Sequence, residues 1–166
     1  MEFSSRVAQH SSRGILIDTN LLLLYGVGLF DQGLIGRFKR TNKYTTEDFE
    51  IVSKIARLSP RLITTPHILC EVSNLILGRG EGSPPLFWGK LLDLIQKAHE
   101  LYVQKDVLLA LRGFSKYGIT DTGIIELAQR DGYLVLTDDF PLAGYLQSRR
   151  CAVLNLNHLR SKRWFR

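Results

Sequence analysis

The sequence contains few of the residues that would indicate a secreted, disulfide-bonded or membrane-bound protein. Among its 166 residues are two cysteines, one methionine and five prolines. Cys70 and Cys151 lie far apart, each in an apolar run, so we expect reduced core cysteines rather than a disulfide framework or a zinc site. No apolar run approaches the ~18 residues that a membrane-spanning helix needs. We therefore expect no membrane segment.

Two further absences narrow the function. Residues 1–13 contain no apolar segment of the kind found in a secretory signal, so we expect a flexible polar lead and a cytoplasmic protein. The apolar run at 14–17 continues as "DTNLLLL" rather than as a glycine-rich phosphate loop, which argues against a nucleotide-binding regulator. The pattern shows no repeat and no second domain. We expect one domain over residues 14–166, ending in a basic tail.

Basic residues outnumber acidic ones. The net charge is +6, and 45% of the residues are hydrophobic, which suits one globular domain with a core. A basic excess favours binding to a polyanion such as nucleic acid, although a solvated surface explains the same charge. The basic residues concentrate in three clusters: Arg37, Lys39, Arg40 and Lys43; Arg149 and Arg150; and Arg160, Lys162, Arg163 and Arg166.

Short apolar runs alternate with helical patterns along the chain. Strands are predicted at 14–17, 61–65, 101–104, 133–137 and 151–156. Helices are predicted from residue 20 and at 46–59, 66–77, 86–100, 105–118, 119–132 and 140–150, with a glycine-rich, basic loop or insertion over 26–46 and a further loop before residue 86. No hairpin signal joins the strands. The pattern predicts an α/β fold with a mainly parallel, helix-covered sheet.

Aspartates follow two of the predicted strands. Asp18 comes directly after "GILI", and Asp138 and Asp139 come directly after "YLVLT". In a parallel sheet, functional groups gather outside the carboxyl ends of the strands, so these side chains are candidates for one site. The structural alternative is that each aspartate caps the helix that follows it.

Two more acids lie on predicted helices. Glu71 lies at the flank of the apolar stripe of helix 66–77, either partly buried or as an exposed residue that borders the core. Asp121 lies in the first turn after Thr120, where it either complements the helix dipole or faces the strand ends. Four carboxylates at one sheet edge would repel one another unless a cation joined them. An all-oxygen ligand set favours Mg²⁺ or Mn²⁺, ions that support phosphoryl transfer.

Four motifs, in order, resemble those of PIN-domain nucleases, including bacterial toxin nucleases. They are "ILIDTN", "TTPHILCEVSNLI", "ITDTGIIELAQRDG" and "LVLTDDF", which place Asp18, Glu71, Asp121 and Asp139. The resemblance covers roughly residues 14–157. It implies a three-layer α/β/α sandwich, Mg²⁺ or Mn²⁺ bound by these four catalytic acids, and Asp138 as an auxiliary ligand. It also implies cleavage of single-stranded RNA, a small antitoxin partner and homodimers.

Other residues are candidates for contact with substrate. Asn20, Thr137, Arg149 and Arg150 are the residues that we select. Thr137 is a candidate for positioning a metal ligand or a phosphate, and its alternative is an ordinary strand-end threonine. For Asn20 the alternative is a helix-start cap, and for the two arginines it is solvated helix-end cations. The insertion at 26–46 and the basic tail depart from a minimal toxin of this type. The sequence predicts a metal-dependent endoribonuclease, and the alternative is a catalytically silent RNA- or protein-binding module of the same fold.

Overall fold

The computed structural model describes residues 7, 10, 12–77 and 85–161. Most of the predicted polar lead, the loop at 78–84 and the basic tail at 162–166 lie outside the described residues. Within the described part of the chain, no helix is long and apolar enough to cross a membrane.

Five parallel strands form one sheet at the centre of the molecule. They are β1 (Ile15–Ile17), β2 (Leu62–Thr64), β3 (His99–Glu100), β4 (Leu134–Thr137) and β5 (Val153–Asn155), in the order β3-β2-β1-β4-β5. The register pairs Leu16 of β1 with Ile63 of β2 and with Val135 of β4. From β1 the chain adds β2 and then β3 on one side, and it then adds β4 and β5 on the other side of β1. The crevice between the carboxyl ends of β1 and β4 is therefore the place where such a sheet binds ligands.

Helices cover both faces of this sheet, and the predicted three-layer α/β/α sandwich is confirmed. They are α1 (Thr19–Phe30), α2 (Thr46–Arg57), α3 (Pro66–Leu77), α4 (Pro85–Lys97), α5 (Lys105–Ala110), α6 (Phe114–Asp131), α7 (Phe140–Ser148) and α8 (Leu156–Ser161), with a short 3-10 helix at Gln32–Leu34. β1 is fully buried, and α1 packs against α2, α3 and α4. Because both elements are enclosed by apolar contacts, the residue between them, Asp18, has a fixed position.

The loop predicted to start at residue 26 is wrong in its first part, since α1 continues to Phe30. The glycines that suggested a loop permit close packing of the helix instead. A Cβ atom on Gly28 would lie 2.1 Å from Cδ2 of Phe49, and one on Gly26 would lie 3.0 Å from Cδ1 of Leu91. Both glycines are buried, and neighbouring side chains occupy the space where their own would be.

Three other local predictions are corrected. The third strand lies at His99–Glu100, before the predicted run at 101–104. The helical pattern after it forms α5 and the longer α6, in which Gly118 interrupts the helix with a φ of +75°. Cys70 is exposed and Cys151 is partly exposed, so neither is a core residue, although both thiols are free as predicted.

Candidate functional site

One pocket, of about 510 Å³, lies at the carboxyl ends of β1 and β4. Its lining includes all four acids that the sequence selected: Asp18, Glu71, Asp121 and Asp139. They come from four different elements, whose positions the sheet order brings together. Asn20 and Arg40 line the same pocket.

Asp18 joins β1 to α1 and is only 6% exposed. Its Oδ1 accepts a hydrogen bond from the Leu21 backbone N–H (2.9 Å), so Asp18 is the N-cap of α1, as the structural alternative required. Its Oδ2 accepts hydrogen bonds from the Thr137 hydroxyl and from the Asp138 backbone N–H. Burial raises the pKa of Asp18 to about 7, the charge of Asp138 adds to the rise, and these hydrogen bonds oppose it.

Glu71 is an exposed residue of α3 whose carboxylate reaches two other helices. Its Oε2 accepts a hydrogen bond from the Thr19 hydroxyl (2.8 Å), and its Oε1 accepts one from the Thr120 hydroxyl (2.6 Å). The sequence predicted Thr120 as the residue that opens a helix, but its hydroxyl donates to the Glu71 carboxylate. Two threonines therefore fix the direction of Glu71.

Asp121 and Asp139 complete the acidic lining. Asp121 is half-buried, and its carboxylate receives no hydrogen bond from the described part of the chain. Burial raises its pKa to about 6, and the charges of Asp139 and Glu71, which line the same pocket, add to the rise. Asp139 is exposed and is the N-cap of α7, where its Oδ1 accepts from the Leu142 N–H (2.7 Å).

In the part of the chain that the structure describes, these four carboxylates have no positively charged partner. Within the described ranges, none of them forms an ion pair with a lysine, arginine or histidine. Their oxygens are the donor type that Mg²⁺ and Mn²⁺ prefer, so the donor set and its uncompensated charge fit a hard divalent ion. The described part of the chain contains no group of three or more His, Cys, Asp or Glu side chains arranged to hold a metal ion. The fit to a divalent ion therefore rests on the donor type and charge of these side chains.

Asp138 has a different environment from Asp139. Its Oδ2 lies 2.8 Å from Lys43 Nζ and accepts a hydrogen bond from the Tyr44 hydroxyl (2.7 Å). Burial raises the pKa of Tyr44, and the hydrogen bond to Asp138 and the charge of that carboxylate add to the rise. Asp138 is not part of the pocket lining. The structure thus places Asp139 at the pocket and gives Asp138 a structural ion pair.

The predicted substrate residues separate into one at the pocket and three elsewhere. Asn20 is exposed at the pocket. Thr137 is fully buried, and its hydroxyl donates to Asp18 and accepts from the Asp139 N–H (3.0 Å), so it positions two acids instead of meeting substrate. Arg149 and Arg150 follow the C-terminal end of α7, which begins beside Asp139. A nine-residue helix is about 13 Å long, and neither arginine lines the pocket.

Sequence reasoning missed two asparagines that hold the acidic turn. The Asn155 amide donates to the Asp139 carbonyl (3.1 Å), and the Asn157 amide donates to the Asp138 carbonyl (2.8 Å). The available signal was their position, because Asn155 ends β5, the strand next to β4, and Asn157 follows it at the same sheet edge. The sequence pattern placed Arg40 in a basic cluster and did not predict that it lines the pocket. Its place in the pocket depends on how the 31–45 segment folds back, which no local pattern reveals.

Comparisons with protein-family models, with curated proteins and with solved structures give no match for this chain.

Proposed function

We propose that this protein is a divalent-metal-dependent endoribonuclease that hydrolyses phosphodiester bonds. The observation that carries the proposal is the pocket at the carboxyl ends of β1 and β4, where four carboxylates have no ion-pair partner among the described residues. Four such charges in one pocket repel one another and favour capture of a cation. Asp18, Glu71, Asp121 and Asp139 are the residues that would hold Mg²⁺ or Mn²⁺.

The chain's own groups prepare this site. Thr137 orients Asp18 and Asp139, while Thr19 and Thr120 orient Glu71. Asn155 and Asn157 hold the backbone that carries Asp139. A bound Mg²⁺ or Mn²⁺ would supply an activated water and would stabilise the charge that develops on the phosphate. Supporting contacts of this kind keep ligand positions within the tolerance that catalysis needs.

RNA as the substrate is favoured by two features. The net charge of +6 suits a polyanion, and the four acidic motifs resemble those of PIN-domain nucleases, which cleave single-stranded RNA. The resemblance also underlies our proposals that the protein is the toxin of a toxin–antitoxin pair, binds a small antitoxin, forms homodimers and acts in the cytoplasm.

The direct test is cleavage of single-stranded RNA by the wild-type protein and by two variants, in Mg²⁺, Mn²⁺ or EDTA. We expect metal-dependent cleavage by the wild type and at least a hundredfold slower cleavage by Asp121→Asn, since the loss of one ligand carboxylate weakens the metal site. Asp106→Asn is the matched control, because Asp106 forms an exposed pair with Lys105. Equal cleavage by wild type and Asp121→Asn would sink the proposal.

A silent RNA- or protein-binding module is the second candidate, and one observation favours it. Both oxygens of Glu71 and both of Asp18 already accept hydrogen bonds from the protein, so these two acids have structural roles without a metal. Thermal unfolding with and without millimolar Mg²⁺ or Mn²⁺ separates the candidates. An ion that binds only the folded state raises the melting temperature, and no rise would favour the silent module.

A further inference from the structure

Arg40 is the one basic residue among the described residues that line the acidic pocket. It is exposed and belongs to the segment 31–45, which joins α1 to α2. No ion pair or hydrogen bond joins its guanidinium to any group in the described part of the chain. A cation that lines an acidic pocket therefore has hydrogen-bonding capacity that no described residue uses.

Two basic neighbours in the same segment use theirs. Arg37 donates from Nε to the Gly33 carbonyl (3.0 Å), and its Nη2 lies 3.8 Å from Asp31. Lys43 lies 2.8 Å from Asp138. Arg37 and Lys43 are therefore engaged within the protein. Lys39, like Arg40, has no ion-pair partner among the described residues, but it does not line the pocket, so Arg40 is the unpaired cation at the site.

The backbone that carries Arg40 is held firmly. Thr41 is fully buried, and its hydroxyl donates to the Ile35 carbonyl (2.8 Å). Tyr44 is 3% exposed and donates to Asp138, the residue whose N–H binds Asp18. These contacts tie the segment to the turn after β4. A cation on a fixed backbone loses less entropy when it binds a ligand.

We propose that Arg40 binds an internal phosphodiester group of the substrate RNA at this pocket, an inference that rests on the proposed function. The four carboxylates repel an approaching phosphate, and a guanidinium beside them offsets part of that repulsion. Its planar fork can bind two phosphate oxygens at once. Asp138 then acts as a positioning residue, because it anchors the Arg40 segment through Lys43 and Tyr44.

The test compares Arg40→Ala with Arg37→Ala, which removes the same charge from the same exposed segment but from outside the pocket lining. Binding of a short fluorescein-labelled single-stranded RNA without a terminal phosphate is measured by fluorescence anisotropy in EDTA, where metal-dependent cleavage cannot occur. We expect Arg40→Ala to weaken binding about tenfold or more, since a hydrogen bond to a charged group is lost. Arg37→Ala should change binding by less than about threefold.

Equal weakening by both variants would overturn the assignment, and so would a wild-type protein that binds no RNA. A loss seen only with 5′-phosphorylated RNA would contradict contact with an internal phosphodiester. Failure of the nuclease proposal is a separate result: the wild type would not cleave RNA in Mg²⁺ or Mn²⁺, while the difference between the two variants in EDTA would persist.

Discussion

Asp18 and Asp48 are both buried aspartates at the start of a helix, but only Asp48 has an arginine beside its carboxylate among the described residues. Asp48 is 3% exposed and Asp18 is 6% exposed. The Arg160 guanidinium binds both oxygens of Asp48, at 2.7 and 2.8 Å, whereas no described cation reaches Asp18. Burial alone would raise the pKa of Asp48, but the hydrogen bonds and charge of Arg160 lower it. The pKa of Asp18 is instead raised to about 7.

The presence or absence of a paired cation separates Asp48, which stabilises the fold, from the pocket acids, which are available to bind a ligand. Asp48 completes a capping box with Thr45, and the guanidinium of Arg160 balances its charge. Asp18 and its three pocket neighbours have no ion-pair partner among the described residues, and ionisation of the buried Asp18 costs folding stability. Natural proteins accept such local costs mainly where function requires them.

Removal of the counter-charge should make Asp48 resemble Asp18. We expect Arg160→Met to lower the free energy of unfolding by about 3 kcal/mol, because a buried carboxylate would lose its partner. Urea unfolding at pH 7 measures the change, with Arg57→Met, an exposed residue at the end of α2, as the control. A loss no larger than that of the control would show that Arg160 does not stabilise Asp48.

The two aspartates should also respond to pH in opposite directions. Between about pH 4 and pH 7 native Asp18 keeps a proton that the unfolded chain has released, so its contribution to stability is complete below pH 4 and disappears as pH rises through 7. The paired Asp48, whose folded pKa is lowered, stabilises the protein above its ordinary pKa and loses this contribution as pH falls through the lowered value.

Asp18→Asn, which keeps a good N-cap residue, should abolish the first effect. In metal-free protein we expect the wild type to lose on the order of 2 kcal/mol more stability than this variant between pH 4.5 and pH 8. Urea unfolding at the two pH values measures it. Identical pH dependence in the two proteins would mean that Asp18 is ionised throughout.

A smaller change concerns the residue beside the pocket. The charge of Asp138 contributes to the raised pKa of Asp18, after burial. We therefore expect Asp138→Asn to lower the pKa of Asp18 by less than about one unit. Carboxyl-carbon NMR titration of metal-free protein measures this directly, and an unchanged or higher pKa would contradict the role given to Asp138.

Much of this arrangement could be predicted from local sequence. Short apolar runs ending in Asp18 and Asp139 identified two strands and their site-facing ends, because a parallel sheet collects such ends at one edge. Glu71 and Asp121 were placed on helices of the correct bounds to within a few residues.

Other features depend on contacts between distant parts of the chain. Asp138 and Asp139 are adjacent residues of one type, which only the motif resemblance ranked. Their different environments come from the contact of Lys43 and Tyr44 with Asp138. The sequence selects Arg149 and Arg150 as candidates for phosphate contact, but α7 carries them away from the pocket. Gly26 and Gly28 favoured a loop in the sequence. The helix forms there because Phe49 and Leu91, which are distant in sequence, pack against these two glycines.

The most direct test of the central claim is titration of the protein with Mn²⁺, followed by electron paramagnetic resonance of the free ion. The account predicts that the wild type binds Mn²⁺ and that Asp121→Asn or Glu71→Gln weakens binding about tenfold or more, while Asp106→Asn leaves it unchanged. Wild-type protein that binds no Mn²⁺ at millimolar concentration, or pocket variants that bind it as well as the wild type, would contradict the account.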